Sequence, residues 1–212
     1  MTERPGALQW VPESADVARL REAAQACRGC ELHRDATQAV MGDGPADVPL
    51  MVLGEQPGDK EDRAGEPFVG PAGQLLDRAP EEAGISARSV FRTNVVKHFR
   101  FSGTLGKQRI HQSPSTLHVA ACGPWLVAEL AVVRPRGVVV LGGTAGKALF
   151  GSAFRVGASR GHLLDWPDDL PATHRPGWAL PTTHPSAVLR SRSRDEDLQA
   201  LVADLRVVAA AL

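Results

Sequence analysis

Residues 49–59 read Pro-Leu-Met-Val-Leu-Gly-Glu-Gln-Pro-Gly-Asp, an apolar run that passes directly into a polar turn. An apolar run bounded by proline and glycine is typical of a buried strand, which we predict at 49–54. Similar stretches predict further strands at 90–96, 137–141 and 178–183. Helical stretches lie between them, and strands that alternate with helices form a parallel sheet covered on both faces. The sequence therefore predicts an α/β fold of three layers, α/β/α, around a central four-stranded parallel sheet.

The remaining apolar stretches predict helices. They lie at about 14–26, 73–83, 115–132, 144–149 and 196–211. Ser14 is the predicted N-cap of the first helix, and Pro80 is predicted to bend or shorten the second. A chain of 212 residues buries one sizeable core, so we predict a single domain over 1–212.

Charge is balanced overall but uneven along the chain. The 24 Lys and Arg residues equal the 24 Asp and Glu residues, yet no acidic residue occurs between Ala83 and Ala128. That window holds Arg88, Arg92, Lys97, Arg100, Lys107 and Arg109. Positive charge without compensating acid predicts a surface that faces phosphate; scattered solvated side chains are the alternative. No apolar run approaches the roughly 20 residues that span a bilayer, so we expect a cytoplasmic protein without a membrane partner.

The chain has three cysteines, Cys27, Cys30 and Cys122. Cys27 and Cys30 form a CxxC pair, which can chelate a metal, and His98 is a candidate fourth ligand because imidazole replaces thiolate in some zinc and iron-sulfur sites. An odd number of cysteines without a signal peptide argues against a disulfide framework. Reduced bystander thiols remain the alternative.

Polar groups follow the predicted strands, where ligands bind in open parallel sheets. Glu55 and Gln56 follow the first strand, Asn94 lies near the end of the second, and His184 follows the fourth. Phe68, held between glycines and prolines in residues 67–73, is a candidate for stacking on a ring. GxGxxG and Walker A motifs are absent from the sequence, which argues against dinucleotide and P-loop nucleotide sites.

Residues 184–190 read His-Pro-Ser-Ala-Val-Leu-Arg. The apolar Val188 and Leu189 beside Arg190 have the composition of a wedge that enters a base stack while a cation holds phosphate. A strand-to-helix connection capped by Ser186 is the structural alternative.

Taken together, Gly54-Glu-Gln-Pro-Gly58, residues 67–73, Asn94 and His184-Pro-Ser186 resemble the uracil-DNA glycosylase superfamily, in particular its iron-sulfur branch. The resemblance implies a [4Fe-4S] cluster held by Cys27, Cys30, His98 and Cys122, and excision of uracil from DNA. It also implies roles for the other residues: Gln56, Phe68 and Asn94 would bind the base, His184 would stabilise the leaving uracil anion, and Ser186, Val188, Leu189 and Arg190 would contact DNA.

The insertion at 101–111, which ends in Lys107-Gln-Arg-Ile-His111, resembles the UdgX subgroup that becomes covalently attached to DNA. This resemblance implies that His111 attacks C1′ of the sugar with Glu55 beside it, and that Lys107 and Arg109 contact DNA. Gln108 stands where the subgroup pattern has arginine. The implied partner is uracil-containing DNA, single-stranded and possibly duplex, bound by a monomer. A conventional turnover glycosylase and a non-catalytic DNA-binding module are the competing interpretations; a zinc deaminase lacks its H-x-E and P-C-x-x-C signature.

Overall fold

The computed structural model describes residues 4–168, 170 and 172–212. Its strands are β1 (Leu50–Gly54), β2 (Val90–Asn94), β3 (Phe101–Leu105), β4 (Gln108–His111), β5 (Gly137–Leu141) and β6 (Trp178–Thr182). Four of them form one parallel sheet in the order β2-β1-β5-β6. The predicted parallel sheet is confirmed, and each predicted strand agrees with an observed one within two residues at either end.

Helices precede, connect and follow these strands. They are α1 (Val17–Ala24), α2 (Asp59–Ala64), α3 (Pro71–Glu82), α4 (Thr116–Val133), α5 (Gly142–Phe150), α6 (Val156–Ser159), α7 (Pro185–Arg190) and α8 (Arg194–Ala211). Short 3-10 turns cover Leu8–Trp10, Glu31–Arg34 and Ala87–Ser89. All five predicted helices are present. The N-cap of α1 is Asp16 and not Ser14, because the Asp16 carboxylate accepts from the Arg19 amide at 2.8 Å.

Both faces of the sheet are buried, as expected for a parallel sheet. Alternate residues of each strand point to opposite faces. Met51 and Leu53 pack with side chains of α1, α4 and α5, whereas Leu50 and Val52 pack with side chains of α3, α7 and α8. The period-two alternation therefore divides the core into two clusters, and it confirms the predicted three layers.

The insertion forms an element that the sequence did not predict. β3 and β4 pair antiparallel as a two-stranded hairpin that stands outside the main sheet. Its turn contains Gly106 at a φ of 61°, a conformation that glycine adopts without strain. His111 is the last residue of β4 and pairs with Phe101. The hairpin thus brings His111 back to the base of the insertion.

The helix α4, contrary to the expectation from sequence, has the length and apolar composition of a membrane span. Its apolar character has another source in this fold, since Trp125, Leu130 and Val133 are fully buried in the core. The helix continues through Pro124, just as α3 continues through Pro80 to Glu82. The predicted shortening of α3 at Pro80 is therefore not observed, because the helix continues to Glu82.

Candidate active site

The carboxyl ends of β1 and β2 form the floor of a small polar site. Glycine at position 54 makes room there: a Cβ on Gly54 would clash with Asn94 Oδ1 and would lie 2.8 Å from Cζ of Phe68. The Asn94 amide and the Phe68 ring therefore meet over one glycine, as expected for a base-binding pocket. Both residues are buried, and Phe68 has a φ of 58°, a left-handed conformation that is rare outside glycine.

Glu55 and His111 come together although they are 56 positions apart in the sequence. Nε2 of His111 lies 3.6 Å from Oε1 of Glu55, and the His111 side chain is 49% exposed. That Glu55 oxygen is buried and has no hydrogen-bond partner within the described residues. A buried carboxylate oxygen without a partner is costly. The site therefore holds an acceptor that faces an accessible imidazole.

His184 follows β6 and is the N-cap residue of α7. Its Nδ1 accepts a hydrogen bond from the Ser186 amide at 3.1 Å. Burial lowers the pKa of His184 to about 4. The charges of Arg190 and His111 also lower this pKa, whereas the Glu55 carboxylate raises it. The ring is therefore neutral at pH 7, and because Nδ1 is an acceptor, Nε2 carries the hydrogen. His184 is a neutral hydrogen-bond donor.

Gln56, predicted to contact the base through its side chain or its backbone, has a side chain that bonds the backbone beside the hairpin. Its amide nitrogen donates to the carbonyl oxygens of Arg100 at 3.1 Å and Gln112 at 3.2 Å, and its Oε1 accepts from the Arg100 amide at 3.1 Å. Arg100 and Gln112 flank the hairpin, so Gln56 clamps both of its ends. Both N–H donors of the side-chain amide are used in this way, which favours the backbone of Gln56 for the predicted contact with the base.

Arg109 also differs from the prediction that it contacts DNA. Its guanidinium pairs with Asp59 and, at 2.8 Å, with the fully buried Asp62, and its side chain is only 11% exposed. It also lies over the Phe99 and Phe101 rings, 5.2 and 4.9 Å from their centres. Arg109 therefore anchors the hairpin to α2 and has no free face for a phosphate.

The predicted phosphate-facing surface is likewise smaller than the sequence indicated. Arg92 pairs with Asp77, and Lys97 pairs with Glu129 in the interior. The acids come from outside the acid-free window, which is why the sequence did not reveal the pairing. Lys107, at the hairpin turn, is exposed.

The predicted wedge is only partly available to DNA. Val188 is fully buried in the cluster beneath α3 and α8, because α7 turns this residue toward the core. Leu189 is half-buried and Arg190 is exposed. A contact between Val188 and DNA is therefore wrong for this conformation, whereas Leu189, Arg190 and Ser186 remain candidates.

The three cysteines are free thiols in a dry environment. Cys122 accepts from the Lys97 amide at 3.3 Å, and Cys27 accepts from the Trp125 indole nitrogen at 3.4 Å. Burial, together with the neighbouring Cys30 and Cys27, raises the pKa of Cys122 to about 12. The three cysteines belong to one buried core cluster, and N–H donors directed at sulfur suit thiolates that bind a metal.

His98, the candidate fourth ligand, is 5% exposed, and burial lowers its pKa to about 4. The neutral ring is the form that binds metals. Within residues 4–168, 170 and 172–212, however, no group of three or more His, Cys, Asp or Glu side chains has the geometry of a metal site. The three thiols and the neutral imidazole of His98 are buried and are of the ligand types that bind a soft metal centre.

Comparison with known proteins agrees with this geometry. Residues 41–206 match the family model for the uracil DNA glycosylase superfamily. The chain is 34% identical over 175 residues to a Type-4 uracil-DNA glycosylase of Thermotoga maritima, and the aligned region covers 82% of this chain and 83% of that protein. It is 32% identical to one from Sulfurisphaera tokodaii, over 81% of this chain and 74% of that protein. A third, from Pyrobaculum aerophilum, is 38% identical over 63% and 64% of the two chains. The family model covers more than half of the chain, and the chain is therefore a member of the uracil-DNA glycosylase superfamily.

Proposed function

We propose that this protein excises uracil from DNA and is then captured on the product through a covalent bond between His111 and C1′ of the abasic sugar. The observation that carries the covalent step is the position of His111, which lies half-exposed and 3.6 Å from an unpartnered oxygen of Glu55. The names of the Type-4 relatives support the excision step.

Base recognition begins with a uracil that leaves the DNA stack, which costs a few kcal/mol in a duplex and little in a single strand. Phe68 then stacks on the ring, and the Asn94 amide bonds its Watson-Crick edge. The tight space above Gly54 supports this assignment, since it brings the two side chains together. Cytosine presents the opposite donor and acceptor pattern at that edge, so it would leave buried polar groups unpaired.

Cleavage of the glycosidic bond sends its electron pair to uracil. Nε2–H of neutral His184 donates to a uracil carbonyl oxygen and stabilises the anion that forms. The sugar is left as an oxocarbenium ion. The ring nitrogen of His111 that carries no hydrogen supplies the electron pair for a new bond to C1′, and the proton on its other nitrogen passes to Glu55. The product is an N-linked sugar without an easy leaving group, so each protein molecule acts once.

We also propose that Cys27, Cys30, Cys122 and His98 hold a [4Fe-4S] cluster. The supporting observations are three buried thiols in one core cluster and the two N–H donors directed at sulfur. Bound there, the cluster would serve as a structural tie between the region before β1 and the segments on either side of the hairpin. Purified protein is expected to be brown and to contain iron and acid-labile sulfide; a colourless protein with stoichiometric zinc contradicts the proposal.

The deciding experiment is a denaturing gel of the protein incubated with uracil-containing single-stranded DNA. We expect a band of protein plus DNA that survives detergent and heat, and no such band with thymine in place of uracil. The Type-4 names of the relatives favour a second candidate, a conventional glycosylase that turns over. Uracil release in molar excess over protein, without the stable band, would establish that candidate. A shift in DNA mobility without any release would identify a binding module.

Gly54→Ala is expected to reduce uracil excision by about 100-fold, because the added methyl group displaces Asn94 or Phe68 by a fraction of an ångström or more. The measurement is the single-turnover rate of uracil release. Gly157→Ala is the matched control, since nothing lies within 4 Å of a Cβ at that position. Equal rates in the two variants would show that the space above Gly54 does not hold the base.

Arg109 and Lys107 are expected to fail in different ways when each is replaced by methionine. Arg109→Met leaves the buried Asp62 carboxylate without its guanidinium partner and should lower the free energy of unfolding by about 3 kcal/mol. Lys107→Met should leave stability unchanged but reduce the slope of log affinity for DNA against log salt by about 1. Chemical denaturation and salt titration of DNA binding measure the two effects. A reduced salt slope for Arg109→Met would contradict its role as an anchor.

A further inference from the structure

A buried ion pair lies directly behind the base pocket and has no part in the steps above. Nζ of Lys97 lies 2.7 Å from Oε2 of Glu129, and the two side chains are 1% and 2% exposed. The same ammonium group donates to Thr93 Oγ1 and to the carbonyl oxygen of Asn94, each at 2.7 Å. All three N–H bonds of Lys97 are therefore used.

Glu129 is equally saturated. Its Oε2 also accepts from the Thr93 hydroxyl, and its Oε1 accepts from the Gly42 amide, both at 2.7 Å. Removing two charges from water is expensive, and well-packed apolar side chains of similar volume stabilise a core at least as well. Stability alone therefore does not explain this pair. A fully satisfied network instead fixes one arrangement of the groups that it binds.

The group that the pair fixes is the end of β2. Lys97 holds the carbonyl of Asn94, whose amide lies in the base pocket. The next two amides are held as well: Val95 donates to the Gly54 carbonyl at 3.0 Å and Val96 donates to the Glu55 carbonyl at 3.1 Å. The orientation of the Asn94 backbone, and with it the direction of its side chain, is thus set from behind by Lys97.

The helix α4 holds the other side of the pair. Cys122 and Glu129 lie seven positions apart in α4, hence on the same face. Cys122 accepts from the backbone amide of Lys97, and Glu129 binds its side chain. Lys97 is therefore fixed at both ends by one helix.

We propose that Lys97 and Glu129 form a positioning pair that holds Asn94 in the orientation required to bond the uracil edge. The proposal rests on the proposed excision of uracil. It predicts that the pair governs the rate of the chemical step and leaves the binding of the DNA strand unchanged, because neither side chain reaches the surface.

The test replaces both charges, in Lys97→Met/Glu129→Met, so that neither partner is left buried alone. The readouts are the single-turnover rate of uracil release at saturating protein, the protein concentration that gives half of that rate, and the melting temperature. We expect the saturating rate to fall roughly tenfold to hundredfold, and the half-saturating concentration to stay within about twofold. Leu201→Ala, a fully buried position in α8, is the control for lost stability and should keep the saturating rate.

A folded double variant that excises uracil at the wild-type rate overturns the proposal. So does an equal loss of rate in Leu201→Ala, because the pair would then act only through stability. If the double variant does not fold, Glu129→Gln keeps the shape and removes the charge; an unchanged saturating rate in that variant also overturns the proposal. Wild-type protein that releases no uracil overturns the proposed function itself, which separates the two failures.

Discussion

His111→Ser is expected to release uracil from DNA at close to the wild-type single-turnover rate while forming no band that survives detergent and heat. Serine removes the nucleophilic nitrogen but leaves unchanged the Asn94 amide and the Phe68 ring, which meet over Gly54. Water then replaces the imidazole as the group that meets the oxocarbenium ion. The variant should therefore release more than one uracil per protein molecule, which we do not expect of the wild type.

Two measurements on the same samples check this expectation: a denaturing gel for the adduct and chromatography for free uracil. Thr104→Ala, an exposed position in the same hairpin, is the matched control and should retain the band. Complete loss of uracil release in His111→Ser would show that His111 takes part in bond cleavage. A persistent stable band would place the point of attachment on another residue.

The parts of the site that could be predicted from sequence are those that follow the strands. Asn94, Glu55 and His184 each follow or end a strand with a strongly apolar pattern, and a parallel sheet brings the carboxyl ends of its strands to one edge. Local sequence therefore determined both the element and the place of the side chain. The proximity of these three residues follows from the order of the parallel strands in the sheet.

The parts that could not be predicted depend on contacts between distant segments. The basic window lacked acids along the chain, but Asp59, Asp62 and Asp77 reach it in space. Arg109 was assigned to DNA by its place in the basic window and by the resemblance of the insertion, and its ion pairs with Asp59 and Asp62 indicate another role. The same applies to Gln56, whose amide bonds only the backbone beside the hairpin.

The adjacent residues Glu55 and Gln56 connect the hairpin to the candidate active site. Consecutive residues of one turn contact the two functional parts of the insertion: Glu55 faces His111, and Gln56 bonds both ends of the hairpin. A movement of the hairpin base would therefore change the distance between Glu55 and His111. This coupling links the proposed covalent step to a turn that the sequence indicated only as polar.

His184→Ala is expected to lower the single-turnover rate of uracil release by about 100- to 1000-fold, as found when one donor to a developing oxyanion is removed. The adduct should form more slowly by the same factor, because His111 can attack only after the base has begun to leave. The exposed His162 provides the control, and His162→Ala should match the wild type. An unchanged rate in His184→Ala would show that the uracil anion is stabilised by another group.

The pH dependence of the wild type tests the same assignment without a substitution. The pKa of His184 is lowered by burial to about 4, so the neutral donor is present throughout the range above that value. As the pH falls through about 4, protonation of Nδ1 removes the acceptor for the Ser186 amide, and the loop that aims Nε2 loses its hydrogen bond. The lowered pKa also makes the free energy of unfolding depend on pH. The stabilising contribution of neutral His184 is complete above about 6.5 and is lost as the pH falls from about 6.5 toward 4. Excision attributable to His184 should thus persist from neutral pH down to about 5. A decline centred near 6.5 that is absent from His184→Ala would contradict the lowered pKa of this histidine.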